Sequence, residues 1–83
     1  MLKIYGNLQC PDCVNCCRDL DQAGVSYDFV DIFSSIPVMK VFLQLRDSEP
    51  AFQGIKEKGA IGIPCIVDGD QITFDWSCYV TQA

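Results

Sequence analysis

A chain of 83 residues has room for one domain, and with 49% hydrophobic and 20% charged residues it has the composition of a globular fold, not a disordered tail. A net charge of −5, with six lysines and arginines scattered along the chain, leaves no basic patch for nucleic acid or an anionic membrane surface. The absence of histidine removes the usual general base and the usual zinc nitrogen ligand, so any chemistry must rest on cysteine, carboxylate or backbone groups.

Leu2 to Tyr5 is a short apolar run closed by Gly6-Asn7, which predicts a first strand. Pro11 then stands where a helix would begin, and apolar residues recur at 13, 16, 17 and 20 with helical spacing. Gly24 is the stop signal. Tyr27 to Ile32 alternates and is rich in aromatic and branched residues, a second strand. Ser34 or Ser35 can cap a second helix with Pro37 in its first turn. The apolar residues of that helix (Ile36, Val38, Met39, Val41, Phe42, Leu43, Leu45) wrap most of its circumference, so it is expected to be well buried, with Met39 and Phe42 in the core.

Ser48-Glu49-Pro50 opens a further short helix running through Ile55 and ending before Gly59. Ile63 to Val67 is a third strand and Gln71 to Phe74 a fourth, joined by a tight turn at Asp68-Gly69-Asp70. Asp75 can cap a last short helix through Val80. A strand–helix–strand unit with a parallel pair, followed by an antiparallel hairpin, gives an α/β fold: a four-stranded mixed sheet with helices on both faces.

Six cysteines in so short a chain need an account. Met1 to Gly6 lacks the long apolar stretch and small-residue cleavage site of a signal peptide, and no apolar run approaches the roughly 18 residues of a membrane span. Four of the six lie between Cys10 and Cys17, poor spacing for stapling a fold. The expectation is a cytoplasmic protein with its thiols mostly reduced.

Cys10-Pro11-Asp12-Cys13 is the sharpest feature, placed just after a strand and at the start of a helix. With Pro11 as the first helical residue, Cys10 is the N-cap, beside unpaired backbone N–H groups and the positive end of the helix dipole, an environment that favours a thiolate nucleophile. Cys13, one turn on, can resolve the mixed disulfide that Cys10 forms. Asp12 favours the helix start but opposes a neighbouring thiolate, so the couple is expected to be more reducing than with an aromatic residue there. The competing reading of Cys10 and Cys13 is half of a zinc knuckle, but a tetrahedral site needs four ligands and no second Cys-x-x-Cys follows.

Strand-then-Cys10-Pro11-Asp12-Cys13, Tyr27 to Ile32, Gly62-Ile63-Pro64 opening a strand, and Asp68-Gly69 in the hairpin together resemble the glutaredoxins over essentially the whole chain. The stretches Arg46 to Phe52 and Lys56 to Pro64 are most similar to a bacterial glutaredoxin-related subgroup. The resemblance implies a thioredoxin-like fold and a dithiol oxidoreductase with Cys10 and Cys13 catalytic. It also implies a cis Ile63–Pro64 bond, with the backbone before the proline pairing with substrate, and a groove for glutathione or substrate at Ile63, Pro64 and Asp75. No tightly bound cofactor is implied; glutathione is a candidate reductant. The implied partners are a disulfide-containing protein or small thiol and a reductase.

The chain departs from the family where glutathione is held. Asn7, Leu8 and Gln9 supply no cation before Cys10, and Thr73 and Phe74 occupy the Gly-Gly positions ahead of Asp75. Lys56 and Lys58 remain as sources of positive charge. These departures favour a protein reductant as donor.

Cys16 and Cys17 follow Cys13 on the same helical face. As small apolar residues they would face the sheet. The alternative function is a carrier module in which Cys10, Cys13, Cys17 and Cys16 bind zinc, Cu(I) or an iron–sulfur cluster. Alternation sends Cys65 to the sheet face opposite Pro64; Cys78 is read as structural and Trp76 as partly buried.

Overall fold

The computed structural model describes residues 1–80. Four strands, β1 (Leu2–Gly6), β2 (Tyr27–Asp31), β3 (Cys65–Asp68) and β4 (Gln71–Thr73), form one sheet in the order β2-β1-β3-β4. β1 and β2 are parallel, whereas β3 runs antiparallel to both β1 and β4. The helices are α1 (Pro11–Gln22), α2 (Ile36–Ser48), α3 (Gln53–Glu57) and α4 (Ser77–Val80), with a 3₁₀ turn at Pro50–Phe52 before α3.

The local signals act as their chemistry requires. Pro11 occupies the first turn of α1, where its missing N–H costs nothing. The Ser35 side chain accepts the Val38 N–H at 3.2 Å and caps α2. Gly24 takes φ 71° just beyond α1, and Gly69 takes φ 59° in the two-residue turn between Asp68 and Gln71.

Strand alternation divides the apolar residues into two cores. On one face, Leu2, Ile4 and Ile66 pack with Cys16 and Leu20 of α1 and with Trp76, Tyr79 and Val80. The Trp76 indole N–H donates to Asp19 at 2.9 Å and ties the end of the chain to α1. On the other face, Tyr5 and Cys65 pack with Ile32, Phe42 and Phe52. A row of rings crosses this second core: Tyr5–Phe42 at 6.1 Å, Phe42–Phe52 at 6.0 Å and Phe52–Phe74 at 4.9 Å, the last two edge-to-face.

Several expectations are corrected. α2 is not well buried: of its apolar residues only Phe42 is fully enclosed, while Ile36 is 74% exposed and Val41 and Leu43 are also exposed. A sheet of four short strands offers the helix a single side to lie against, and the remaining apolar residues stay in water. The third strand begins at Cys65, not Ile63, because Gly62 at φ 95° and Pro64, with no N–H to give, keep the chain out of the ladder until then. The first strand extends to Gly6, the second ends at Asp31 and the fourth at Thr73. The short helix divides into the 3₁₀ turn and α3. Cys78 is exposed and takes no part in a core. Among the described residues no helix is long and apolar enough to cross a membrane.

Candidate functional site

Topology brings the singled-out residues to one end of the sheet. The parallel strands β1 and β2 both finish there, and β3 begins there. Tyr5 pairs with Cys65, so one step further along that register the end of β1 at Gly6 meets the Pro64 that precedes β3, while Asp75 follows β4, whose last pair is Thr73 with Ile66. The carboxyl end of parallel strands, where loops and a helix N-terminus converge, is where α/β sheets carry their sites.

The loop from Gly6 to Cys10 is held by Asn7, the one buried polar residue outside the helices' own ladders among the described residues. Its side-chain oxygen accepts the Gln9 N–H at 2.9 Å and its amide nitrogen donates to Asp31 at 2.9 Å. Its backbone carbonyl accepts the Cys10 N–H at 3.0 Å. Asp31 also accepts the Phe33 N–H at 2.9 Å, and these two donors hold its carboxyl below the usual carboxylate range.

Cys10 is the N-cap of α1 in extended backbone geometry (φ −86°, ψ 120°), and its carbonyl accepts the Val14 N–H at 3.1 Å. Its side chain is half-buried and makes no capping bond. Cys13, one turn later, is completely enclosed. Burial is the main cause that pushes its thiol up to about 12, helped by a hydrogen bond and charge from Cys10, while a backbone hydrogen bond from Asn7 pulls the other way. Cys13 is therefore a protonated donor at neutral pH, lying within hydrogen-bond reach of Cys10.

The Cys13 sulfur rests on the bare backbone of Gly6: a Cβ at that position would lie 2.8 Å from Sγ and 3.4 Å from the Phe29 ring. Cysteine has no flexible far end to swing away. Gly6→Ala is expected to cost about 1–3 kcal/mol of stability and to displace the Cys13 sulfur. Urea unfolding checks the first effect, and the rate at which a Cys10–Cys13 disulfide closes checks the second. Wild-type values for both would show that the site has slack the structure lacks.

Ile63–Pro64 is cis, as the family resemblance implied, with Pro64 buried and Ile63 half-buried. Gly62 ahead of it has no room for a side chain, since a Cβ would come within 2.7 Å of the Phe52 ring. Asp75 is exposed and its carboxylate accepts the Ser77 N–H at 3.0 Å, which holds its carboxyl below the usual range. That bond reaches the first N–H of α4 from one position before the N-cap, which is Trp76 and not Asp75 as expected.

The remaining thiols lie elsewhere. Cys16 and Cys65 are fully enclosed, on opposite faces of the sheet, and burial pushes each up to about 12. Cys17 is half-buried instead of core-facing, with its thiol also raised by burial and a hydrogen bond to the Tyr27 hydroxyl opposing that shift. Among the described residues no group of three or more histidine, cysteine, aspartate or glutamate side chains is arranged to hold a metal ion. Sequence reasoning missed Gly6 and Asn7 as site residues. The only signal for either was their place between a strand and the dithiol, with Asn7 a residue type that readily closes local turns.

With this geometry in place, comparison shows that the chain belongs to the same family as an uncharacterized protein of Haemophilus influenzae. The two are 42% identical over 65 residues, covering 76% of this chain and 76% of the relative. No family model matches the chain, and no solved structure matches it.

Proposed function

We propose that this protein is a glutaredoxin-like thiol–disulfide oxidoreductase on a thioredoxin-like fold, reducing protein or low-molecular-weight disulfides in the cytoplasm. The observation that carries the reading is the asymmetry of the dithiol: Cys10 is half-buried at a helix N-terminus, whereas Cys13 is enclosed and held protonated beside it. Only Cys10 can meet a substrate.

In the first step the Cys10 thiolate attacks one sulfur of the substrate disulfide. A mixed disulfide forms, and the other substrate sulfur departs as a thiolate that takes a proton from solvent. In the second step Cys13 gives up its proton to water, since no histidine is available, and its sulfur attacks Cys10. The second substrate thiol leaves and a Cys10–Cys13 disulfide remains, so two electrons have passed to the substrate. Bonding Cys10 to the substrate removes the charge that helped keep Cys13 protonated, and the Asn7 amide is placed to stabilise the sulfur as its charge develops. A dithiol protein or two molecules of glutathione then returns both electrons. Pro64 and the Ile63 backbone shape the groove in which the substrate lies.

Equilibration in glutathione redox buffers, followed by alkylation and mass analysis, tests this. The expected result is one two-electron couple between roughly −200 and −270 mV, with Cys10 and Cys13 the two thiols lost. A pair that stays reduced in fully oxidised glutathione would end the proposal.

A further inference from the structure

The segment between α3 and β3 carries Ile63 and Pro64 but has little structure of its own. Its start is tied to α3 by the Gly59 N–H to the Lys56 carbonyl at 3.0 Å and the Ala60 N–H to the Ile55 carbonyl at 3.0 Å. From Ile61 to Pro64 no further turn or loop backbone bond forms among the described residues. What reaches this stretch comes from α2: the Arg46 guanidinium donates through Nε to the Ile61 carbonyl at 3.0 Å and through Nη2 to the Ala60 carbonyl at 2.5 Å. Both are charge-assisted, and the planar fork grips two successive carbonyls at once. The same side chain lines a groove of about 260 Å³ with Phe33, Met39, Leu43 and Ile61, so the apolar stem of Arg46 and the segment form one wall.

We infer that Arg46 is a positioning residue for substrate: it fixes the backbone leading into Ile63–Pro64 so that the edge offered to a substrate is formed before the substrate arrives. This rests on the oxidoreductase reading above. The Arg46 side-chain hydrogen bonds go to the carbonyls of Ala60 and Ile61 and to neither sulfur of the dithiol. Its loss therefore weakens substrate alignment and leaves the nucleophile alone. Arg46→Met keeps the apolar stem and removes both donors, whereas Arg46→Lys restores the charge but reaches one carbonyl at a time.

Three measurements on the full chain test the inference: steady-state kinetics with a disulfide-bonded peptide, the alkylation rate of Cys10 by iodoacetamide, and hydrogen exchange at the bonded amides of Gly59 and Ala60 where the segment begins. For Arg46→Met, KM is expected to rise about tenfold with kcat nearly unchanged, since part of the value of the two charge-assisted hydrogen bonds is lost from substrate binding. Exchange at the two amides should accelerate, Cys10 alkylation should match wild type, and Arg46→Lys should fall between. Faster exchange with an unchanged KM would make Arg46 merely structural and overturn the inference, as would exchange at the wild-type rate. A wild-type protein inactive on every disulfide would instead sink the oxidoreductase reading, and the role of Arg46 with it.

Discussion

Cys10→Ser is expected to abolish disulfide reductase activity, a fall of about a thousandfold or more, because a serine hydroxyl is not ionised near neutral pH and cannot replace a thiolate. Three of the other five cysteines, Cys16, Cys65 and Cys78, serve as controls within the same chain. Cys16 and Cys65 are sealed in the two cores, so their replacement by alanine should alter stability and leave turnover near wild type. Cys78 is exposed and outside the cores, and Cys78→Ser should change neither. Cys13→Ser separates the possible electron donors. If glutathione serves, it can resolve the mixed disulfide from outside, and activity survives in Cys13→Ser while vanishing in Cys10→Ser. If the donor is a protein dithiol, Cys13→Ser arrests the protein as a covalent adduct, visible by mass. Full activity in Cys10→Ser would remove the site from the protein altogether.

Alkaline pH is expected to unfold the reduced protein steeply. Cys13, Cys16 and Cys65 are each raised to about 12, chiefly by burial. In an unfolded chain their thiols ionise near pH 8.5. The folded values lie above the unfolded ones, so the stabilisation is complete below about pH 8.5 and is lost as pH climbs toward 12. One thiol contributes about 1.4 kcal/mol per pH unit, so three give a slope approaching about 4 kcal/mol per unit. A domain whose whole stability is of the order of 5–10 kcal/mol should then unfold within two or three units. The Tyr27 and Tyr79 hydroxyls are raised as well and add to the slope with the same sign. Trp76 fluorescence followed against pH in a reducing buffer measures the effect, and Cys16→Ala and Cys65→Ala should each flatten the curve. Stability unchanged from pH 8 to 11 would mean that these thiols are not enclosed as described.

The legible parts of this protein are those where one residue forces a local geometry. Pro11 starts α1, Gly24 ends it, Ser35 caps α2, and Gly69 turns the hairpin; each acts through its own dihedral angles or side-chain oxygen, within a few residues. The dithiol was legible for the same reason, since its chemistry depends on one turn of helix. Arg46 was not, because its partners are backbone carbonyls 14 and 15 residues away in a segment with no pattern. Ile36, Val41 and Leu43 misled because an apolar residue facing water on a helix has the same letters as one facing a core. Cys78 misled in the same way. Alternation alone sends Ile66 and Cys65 to opposite faces, but which residues share each core depended on the strand order, which sets β3 beside β1.

That division of the sheet also governs how sulfur can pair within one chain. Cys16 belongs to the core on the α1 side, Cys13 lies on the same helix with its sulfur against Gly6, and Cys65 belongs to the core that holds Phe42 of α2. A disulfide needs its two Cα atoms within about 7 Å and their side chains turned toward each other. Residues pointing away from each other through a backbone layer cannot meet that demand while the strands remain paired. The sheet thus works as an insulator: Cys65 can form a disulfide with the enclosed thiols of α1 only after the fold has come apart.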